Sequence, residues 1–143
     1  MAISFTRVFD GVVRQIVVEC SVSLPECRDS YMDYRKALWD TGANITCISN
    51  RLATILHLKA LDEVLISFAN NDVFRANTYY VQLKMGSFVL PFIKVLGLPM
   101  DESKDIIIGM DVISKGDLAV TNYEGKTVLS FREPSAGRVI FDD

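Results

Sequence analysis

The chain has 143 residues, a half-apolar composition and a formal net charge of −3, which fits one domain with a single buried core. A mildly acidic chain does not attract phosphate backbones, so nucleic acid is not an expected partner. No stretch approaches the roughly 20 apolar residues that span a bilayer, so the sequence predicts no membrane partner either. We therefore expect residues 1–143 to form one domain.

Three cysteines, Cys20, Cys27 and Cys47, cannot all pair within one chain, and their spacings match no metal-ligand pattern. We interpret them as reduced thiols, which favours a cytoplasmic location. The first seven residues lack the long apolar run of a signal peptide, in agreement with that location. Cys47 lies on an apolar strand, where a buried inert thiol is favoured over a redox switch.

Apolar residues recur with period two through the first half of the chain, so strands prevail there. The predicted strands are Gln15–Leu24, Arg35–Trp39 and Ile45–Ile48. Ser49 then has the position of an N-cap, and helical spacing of the apolar residues after it predicts one short helix. His57 has no partner pattern and is interpreted as a helix-end or surface residue.

The second half of the chain continues this pattern and begins with a hairpin. Asn and Asp tolerate left-handed backbone angles, so Ala69-Asn70-Asn71-Asp72 is predicted to form the hairpin tip. The predicted strands are Val64–Phe68, Val73–Leu83, Phe88–Val95, Ile106–Ile108, Leu118–Asn122 and Thr127–Arg132, with a second short helix at Met110–Lys115. The sequence thus predicts an all-β fold with one or two short helices, a core over about residues 15–132 and a tail over residues 133–143.

The chemistry centres on Asp40-Thr41-Gly42, which directly follows an apolar strand. Such a strand delivers a carboxylate into a tight turn, where Gly42 lets another backbone approach closely and Thr41 can hydrogen-bond locally. The tripeptide alone is more typical of an ordinary surface turn. A phosphate-binding loop of a kinase-like fold is a further alternative, but the chain is short for it and has no Gly-rich partner loop.

The wider context resembles the retropepsin-like (retroviral-type) aspartic protease family. Residues Ala37–Thr46 contain two apolar residues, Asp-Thr-Gly-Ala, an Asx residue and Thr, as in the active-site signature of that family. About 65 residues later, Ile106–Asp111 resembles the family's apolar-apolar-Gly element, which packs behind the catalytic loop. The hairpin between them lies where the family places its flap, although a plain surface hairpin is an alternative. The resemblance extends roughly over Val17–Arg132 and implies a closed β-barrel that works as a C2 homodimer.

The same resemblance assigns roles to individual residues. Those implied in catalysis are Asp40, Thr41 and Gly42. Those implied in substrate binding are Gly42, Ala43 and Asn44 in the loop and Ala69, Asn70 and Asn71 at the flap tip. Those implied in structural support of the site are Ile107, Ile108 and Gly109. The family needs no metal or organic cofactor, and none is expected here.

This chain departs from many viral members of the family at two positions. Those members have an acidic residue at the position of Asn44 and an Arg at that of Met110. An Asp–Arg pair that links the catalytic loop to the dimer partner is therefore not expected here. We expect the terminal hairpin to hold the dimer instead, and the tail after Pro134 to matter less.

A single Asp-Thr-Gly motif implies that the site is shared between chains. No other aspartate is followed by Thr-Gly or Ser-Gly, whereas this chemistry needs two carboxylates around one water. The second carboxylate must come from a second copy, in an isologous dimer. The predicted function is an aspartic endopeptidase that acts on peptide or protein substrates. The alternative is a catalytically silent retropepsin-like module that binds peptides or dimerises.

Overall fold

The computed structural model describes residues 3–25 and 33–142, and strands dominate these ranges as predicted. The strands are β1 (Ile3–Val8), β2 (Val17–Ser23), β3 (Asp33–Trp39), β4 (Cys47–Ser49), β5 (Glu63–Ser67), β6 (Val73–Met85), β7 (Phe88–Leu98), β8 (Ile106–Ile108), β9 (Asp117–Thr121) and β10 (Val128–Glu133). The helices are α1 (Asn50–Ile55) and α2 (Met110–Ile113), and a 3₁₀ turn covers Tyr123–Gly125.

Six strands close into a barrel in the order β2-β3-β8-β4-β7-β6, because β6 pairs back onto β2. The pairs β3–β8 and β4–β7 are parallel, and the other pairs of the barrel are antiparallel. Strand β5 pairs only with β6 among the described residues and forms the outer arm of a hairpin. Closure leaves the barrel strands without free edges. The closed barrel that the sequence predicted is therefore confirmed.

Alternating apolar side chains fill the barrel, as period-two patterning requires. Trp39, next to the sequence-predicted catalytic aspartate, is buried. Its ring lies 5.1 Å from Phe131 and 5.5 Å from Phe5 between centroids. Trp39 therefore packs into the core. The largest fully buried side chains are Phe88, Phe131, Ile48, Leu52, Leu83, Met85, Ile106, Ile108 and Leu129.

A separate three-stranded antiparallel sheet, β1-β10-β9, packs against the barrel. It contains the predicted terminal hairpin, whose Leu129 and Phe131 are fully buried in this chain's own core. Strand β1 was not predicted. Only Phe5 of its six residues is partly buried, so the strand depends on its pairing with β10, which lies far away in the sequence.

The predicted N-cap of α1 is confirmed, because the backbone N–H of Leu52 donates to Ser49 Oγ at 3.1 Å. The Ser49 hydroxyl also donates to Asp105 Oδ1 at 2.6 Å. Arg51 Nη2 lies 3.1 Å from the same carboxylate oxygen. These contacts tie the start of α1 to the residue that precedes β8. His57 lies exposed just beyond α1, as predicted.

Candidate active site

Strand β3 carries Asp40 to the end of the barrel, where the chain turns sharply. The backbone N–H of Asp40 donates to Ile108 O at 2.9 Å, and that of Ala43 donates to Asp40 O at 3.2 Å. The N–H of Gly42 donates to Asp40 Oδ1 at 2.8 Å. The half-buried carboxylate is therefore held by its own turn. A Cβ at Gly42 would lie 3.1 Å from the same oxygen, so a side chain there would crowd it.

The residues that follow Asp40 are open to solvent. Thr41, Gly42 and Asn44 are exposed, and Ala43 is partly buried. Within the described ranges the Thr41 hydroxyl has no hydrogen-bond partner, so the brace inside the turn comes from Gly42 instead. The loop thus presents a fixed carboxylate beside accessible backbone.

Residues 109–111, which directly follow β8, hydrogen-bond to the back of this loop. We call these three residues the strap. The backbone N–H of Met110 donates to Ala43 O at 2.8 Å, and that of Asp111 donates to Asn44 O at 3.2 Å. A Cβ at Gly109 would lie 2.8 Å from Ile45 C and 2.9 Å from Ala43 O, so only glycine fits. Ile108 is fully buried, pairs with Trp39 and accepts the N–H of Asp40, so Ile108 and Gly109 lie against the loop. Ile107 pairs with Leu38 and Cys47, which lie on the strands before and after the loop.

A carboxylate clamp that was not predicted from the sequence joins Asp111 to Thr46. Both oxygens of Asp111 lie 3.0 Å from the backbone N of Thr46, and Thr46 Oγ1 donates to Oδ1 at 2.7 Å. Thr46 Oγ1 in turn accepts from the N–H of Gly109 at 3.0 Å. Thr46 belongs to the first motif and Asp111 to the second. The expected packing of one motif behind the other was therefore a signal for a contact between these two residues.

We expect Asp111→Ala to destabilise the fold, because the N–H and hydroxyl of Thr46, a residue that is 0% exposed, lose their shared acceptor. An unsatisfied buried donor costs about 1–3 kcal/mol, so the free energy of unfolding should fall by about that amount. Urea denaturation measures it. The matched control is Asp10→Ala, at an exposed aspartate. Equal stability of the two variants would show that the clamp contributes nothing.

The predicted flap is a hairpin of β5 and β6 with its tip at residues 68–72. The N–H of Asn71 donates to Phe68 O at 2.9 Å, and Asn71 has a φ of 67°. The Asn70 side chain accepts from Asp72 N at 3.0 Å and donates to the Asp72 carboxylate at 2.8 Å. The tip is therefore braced by its Asn and Asp side chains. Ala69, Asn70 and Asn71 are exposed there, and their contact with substrate stays a prediction.

The thiols of Cys20 and Cys47 are free and buried. Burial raises the pKa of Cys20 to about 12. Burial, helped by the charge of Asp111, raises the pKa of Cys47 to about 11. Both thiols therefore stay protonated near neutral pH, which agrees with the predicted inert thiol at Cys47. Cys27 lies outside the described residues.

Residues 3–25 and 33–142 contain no group of three or more His, Cys, Asp or Glu side chains that could hold a metal ion. No helix in these ranges is long and apolar enough to cross a membrane.

Comparison with known proteins bears on both family and fold. The family described as "gag-polyprotein putative aspartyl protease" matches residues 34–115, more than half of the chain, including the Asp40 loop and the Gly109 strap. No curated protein matches the sequence. Among solved structures, the chain is similar to a retropepsin-like aspartic protease from Rickettsia conorii, with 12% identity and a TM-score of 0.59 over 93% of this chain and 96% of that chain.

A second structure is the retroviral protease-like domain of Ddi1 from Leishmania major, with 17% identity and a TM-score of 0.48 over 76% of this chain and 82% of that chain. At such identities, likeness to the Rickettsia structure supports the fold alone. The family rests on the sequence match over residues 34–115. The chain belongs to the gag-polyprotein aspartyl protease family and has a retropepsin-like fold.

Proposed function

We propose that this protein is an aspartic endopeptidase whose active site combines two Asp40 residues, one from each subunit of a homodimer. One observation carries the proposal: Asp40 Oδ1 accepts the N–H of Gly42 at 2.8 Å in an exposed loop at the end of β3. The family membership of the chain supports the same chemistry. A second copy is required because the sequence contains only one Asp-Thr-Gly.

The proposed reaction uses one water between the two carboxyl groups. Two carboxyls at close range cannot both ionise easily, so one holds a proton while the other is charged. The charged Asp40 removes a proton from the water, whose oxygen bonds to the peptide carbonyl carbon, and the protonated Asp40 donates to the carbonyl oxygen. The Asp40 that took the proton from water then donates it to the amide nitrogen, while the other, now ionised, Asp40 takes a proton back from a hydroxyl of the tetrahedral intermediate. The C–N bond breaks, the carboxyl and amine fragments leave, and the pair again holds one proton.

The loop geometry suits a pair of carboxyl groups in which one accepts a proton and the other donates one. The hydrogen bond from Gly42 occupies Asp40 Oδ1, which leaves Oδ2 for the water and the partner's carboxyl. The carbonyl oxygen of Asn44 already accepts the N–H of Asp111. Asn44 would therefore bind a substrate through its own N–H and its side chain. We propose that an extended substrate binds to Gly42, Ala43 and Asn44 like an added strand. The tip at 69–71 would then close over it and exclude water.

The test is hydrolysis of a diverse peptide mixture by the purified protein across a range of pH, followed by mass spectrometry. We expect defined cleavage products and a bell-shaped pH dependence, because the pair titrates in two steps. A peptide with a non-hydrolysable hydroxyl in place of the scissile carbonyl should inhibit strongly, since it resembles the tetrahedral intermediate. Peptide binding without cleavage in a proven dimer would contradict the proposal and favour the silent module.

A further inference from the structure

Ile45 is an apolar residue that the loop after Asp40 leaves open to solvent. Its side chain is 47% exposed, whereas the next two residues, Thr46 and Cys47, are buried. Ile45 was predicted as the first residue of a strand, and this was wrong, because β4 begins at Cys47. The backbone groups on either side of Ile45 bond to Asp111 and not to a neighbouring strand. Ile45 therefore belongs to the catalytic loop.

The backbone of Ile45 is held in place by the strap. The carbonyl oxygen of Asn44 accepts the N–H of Asp111 at 3.2 Å, and Thr46 N lies 3.0 Å from both carboxylate oxygens of Asp111. A Cβ at Gly109 would lie 2.8 Å from Ile45 C, so the two backbones are in direct contact. A β-branched side chain is also stiff at χ1. Ile45 is thus an apolar surface that is positioned before any ligand binds, so a ligand that packs on it loses little binding energy to ordering.

The loop around Ile45 carries no charge with which to select a ligand. Residues 41–46 contain no Asp, Glu, Lys, Arg or His. The Asp111 carboxylate, which binds this stretch, accepts from the N–H and hydroxyl of Thr46 and from the N–H of Val112 at 2.9 Å, so its hydrogen bonds go to groups of its own chain. A single exposed isoleucine is ordinary. Ile45 differs in that it directly follows Asn44, through which we propose that the substrate backbone binds.

We infer that Ile45 is a specificity-determining residue, which selects peptides with an apolar side chain at the position that packs against it. The inference rests on the proposed function, in which the substrate binds beside Asn44 as an added strand and turns its side chains alternately to opposite faces. An apolar side chain gains by burial on Ile45, whereas a charged one loses hydration without finding a partner. The two-fold axis supplies a second Ile45, so the selection applies at two positions, one on each side of the cleaved bond.

Cleavage-site profiling tests the inference. The wild type, Ile45→Asp and Ile45→Ala are incubated with the same diverse peptide mixture, and the cleaved positions are identified by mass spectrometry. We expect the wild type to prefer apolar residues at the two positions and Ile45→Asp to prefer Lys or Arg there. The ratio of kcat/KM for apolar over basic residues should fall at least about tenfold, the lower end of the range for one apolar contact. Ile45→Ala, which removes apolar surface without adding charge, should weaken the preference.

The matched control is Ile55→Asp, at an isoleucine that is 49% exposed at the end of α1. It should keep the wild-type profile. Urea denaturation and sedimentation of Ile45→Asp should match the wild type, because the replaced side chain is half exposed. If Ile45→Asp does not dimerise, the profile of Ile45→Ala decides. A wild-type profile in that variant, or in Ile45→Asp dimers, would overturn the inference and assign the side chain no contact with substrate.

Peptide capture separates this inference from the proposed function. Immobilised Asp40→Asn chains, with and without Ile45→Asp, are exposed to the same peptide mixture, and the retained peptides are sequenced by mass spectrometry. We expect Asp40→Asn to retain peptides rich in apolar residues and the double variant to retain more basic ones. If capture shifts in this way but the wild type cleaves no peptide, the proposed function fails while the inference stands. Capture that does not depend on residue 45 overturns the inference, whether or not the wild type cleaves.

Discussion

Replacing Asp40 by Asn should abolish peptide hydrolysis and leave the fold nearly intact. In a symmetric dimer both carboxyls disappear together, so no group is left to take a proton from water or to donate one. Loss of a catalytic group that acts as part of a unit lowers kcat by about 10⁴–10⁶, and a loss of at least about a thousandfold in kcat/KM is expected here. Asn retains an oxygen that can accept the N–H of Gly42, a bond of 2.8 Å in the native turn.

The matched control is Asp10→Asn, at an exposed aspartate outside the site. It should have wild-type kcat/KM. Circular dichroism and sedimentation of the Asp40→Asn variant should be unchanged, which separates chemistry from folding. If that variant keeps activity within tenfold of the wild type after contaminating proteases are excluded, an aspartic mechanism at Asp40 is ruled out.

Gly109→Ala should have the second largest effect, because it acts on the loop that carries Asp40. The new Cβ would lie 2.8 Å from Ile45 C and 2.9 Å from Ala43 O, which are both backbone atoms and can yield only if the loop moves. Overpacking of this kind destabilises by about 1–3 kcal/mol. A displacement of about 1 Å at reacting groups costs about a hundredfold in rate, and we expect kcat/KM to fall by about that factor.

The control for Gly109→Ala is Gly11→Ala, where a Cβ meets no atom within 4 Å. Urea denaturation and peptide kinetics are measured on both variants. Gly11→Ala should match the wild type in each. Wild-type kinetics for Gly109→Ala would show that the strap does not position the catalytic loop.

The sequence predicted those features whose signals are local. Period-two runs predicted most of the strands, Ser49 predicted the start of α1, and the two motifs predicted that Gly109 lies near Asp40. In the structure the strap indeed meets the loop, as the bond of 2.8 Å from Met110 N to Ala43 O shows. The strands and the helix start depend on residues a few positions apart, whereas the contact between the two distant motifs was expected from the family resemblance.

The features that the sequence did not predict depend on distant partners. Strand β1 has one partly buried residue, so its hydrophobic signal is weak, and β10 holds it in place. The Asp111 clamp joins two residues that are 65 positions apart. Neither an aspartate nor a threonine by itself predicts such a hydrogen bond. The start of the C-terminal tail is also held by a distant residue. The Asp117 carboxylate accepts hydrogen bonds from Ser135 and Ala136, which are 18 and 19 positions further along the chain.

The most direct test of the shared active site mixes wild-type chains with an equal amount of Asp40→Asn chains. After subunits exchange at random, about a quarter of the dimers carry two aspartates, drawn from twice as many dimers, so total activity should fall to roughly half that of the wild type alone. Mass-tagged mutant chains confirm exchange, and sedimentation confirms complete dimerisation with equal affinity in all pairings. Activity that stays unchanged although heterodimers have formed would mean that one Asp40 suffices, and would contradict an active site shared between two chains.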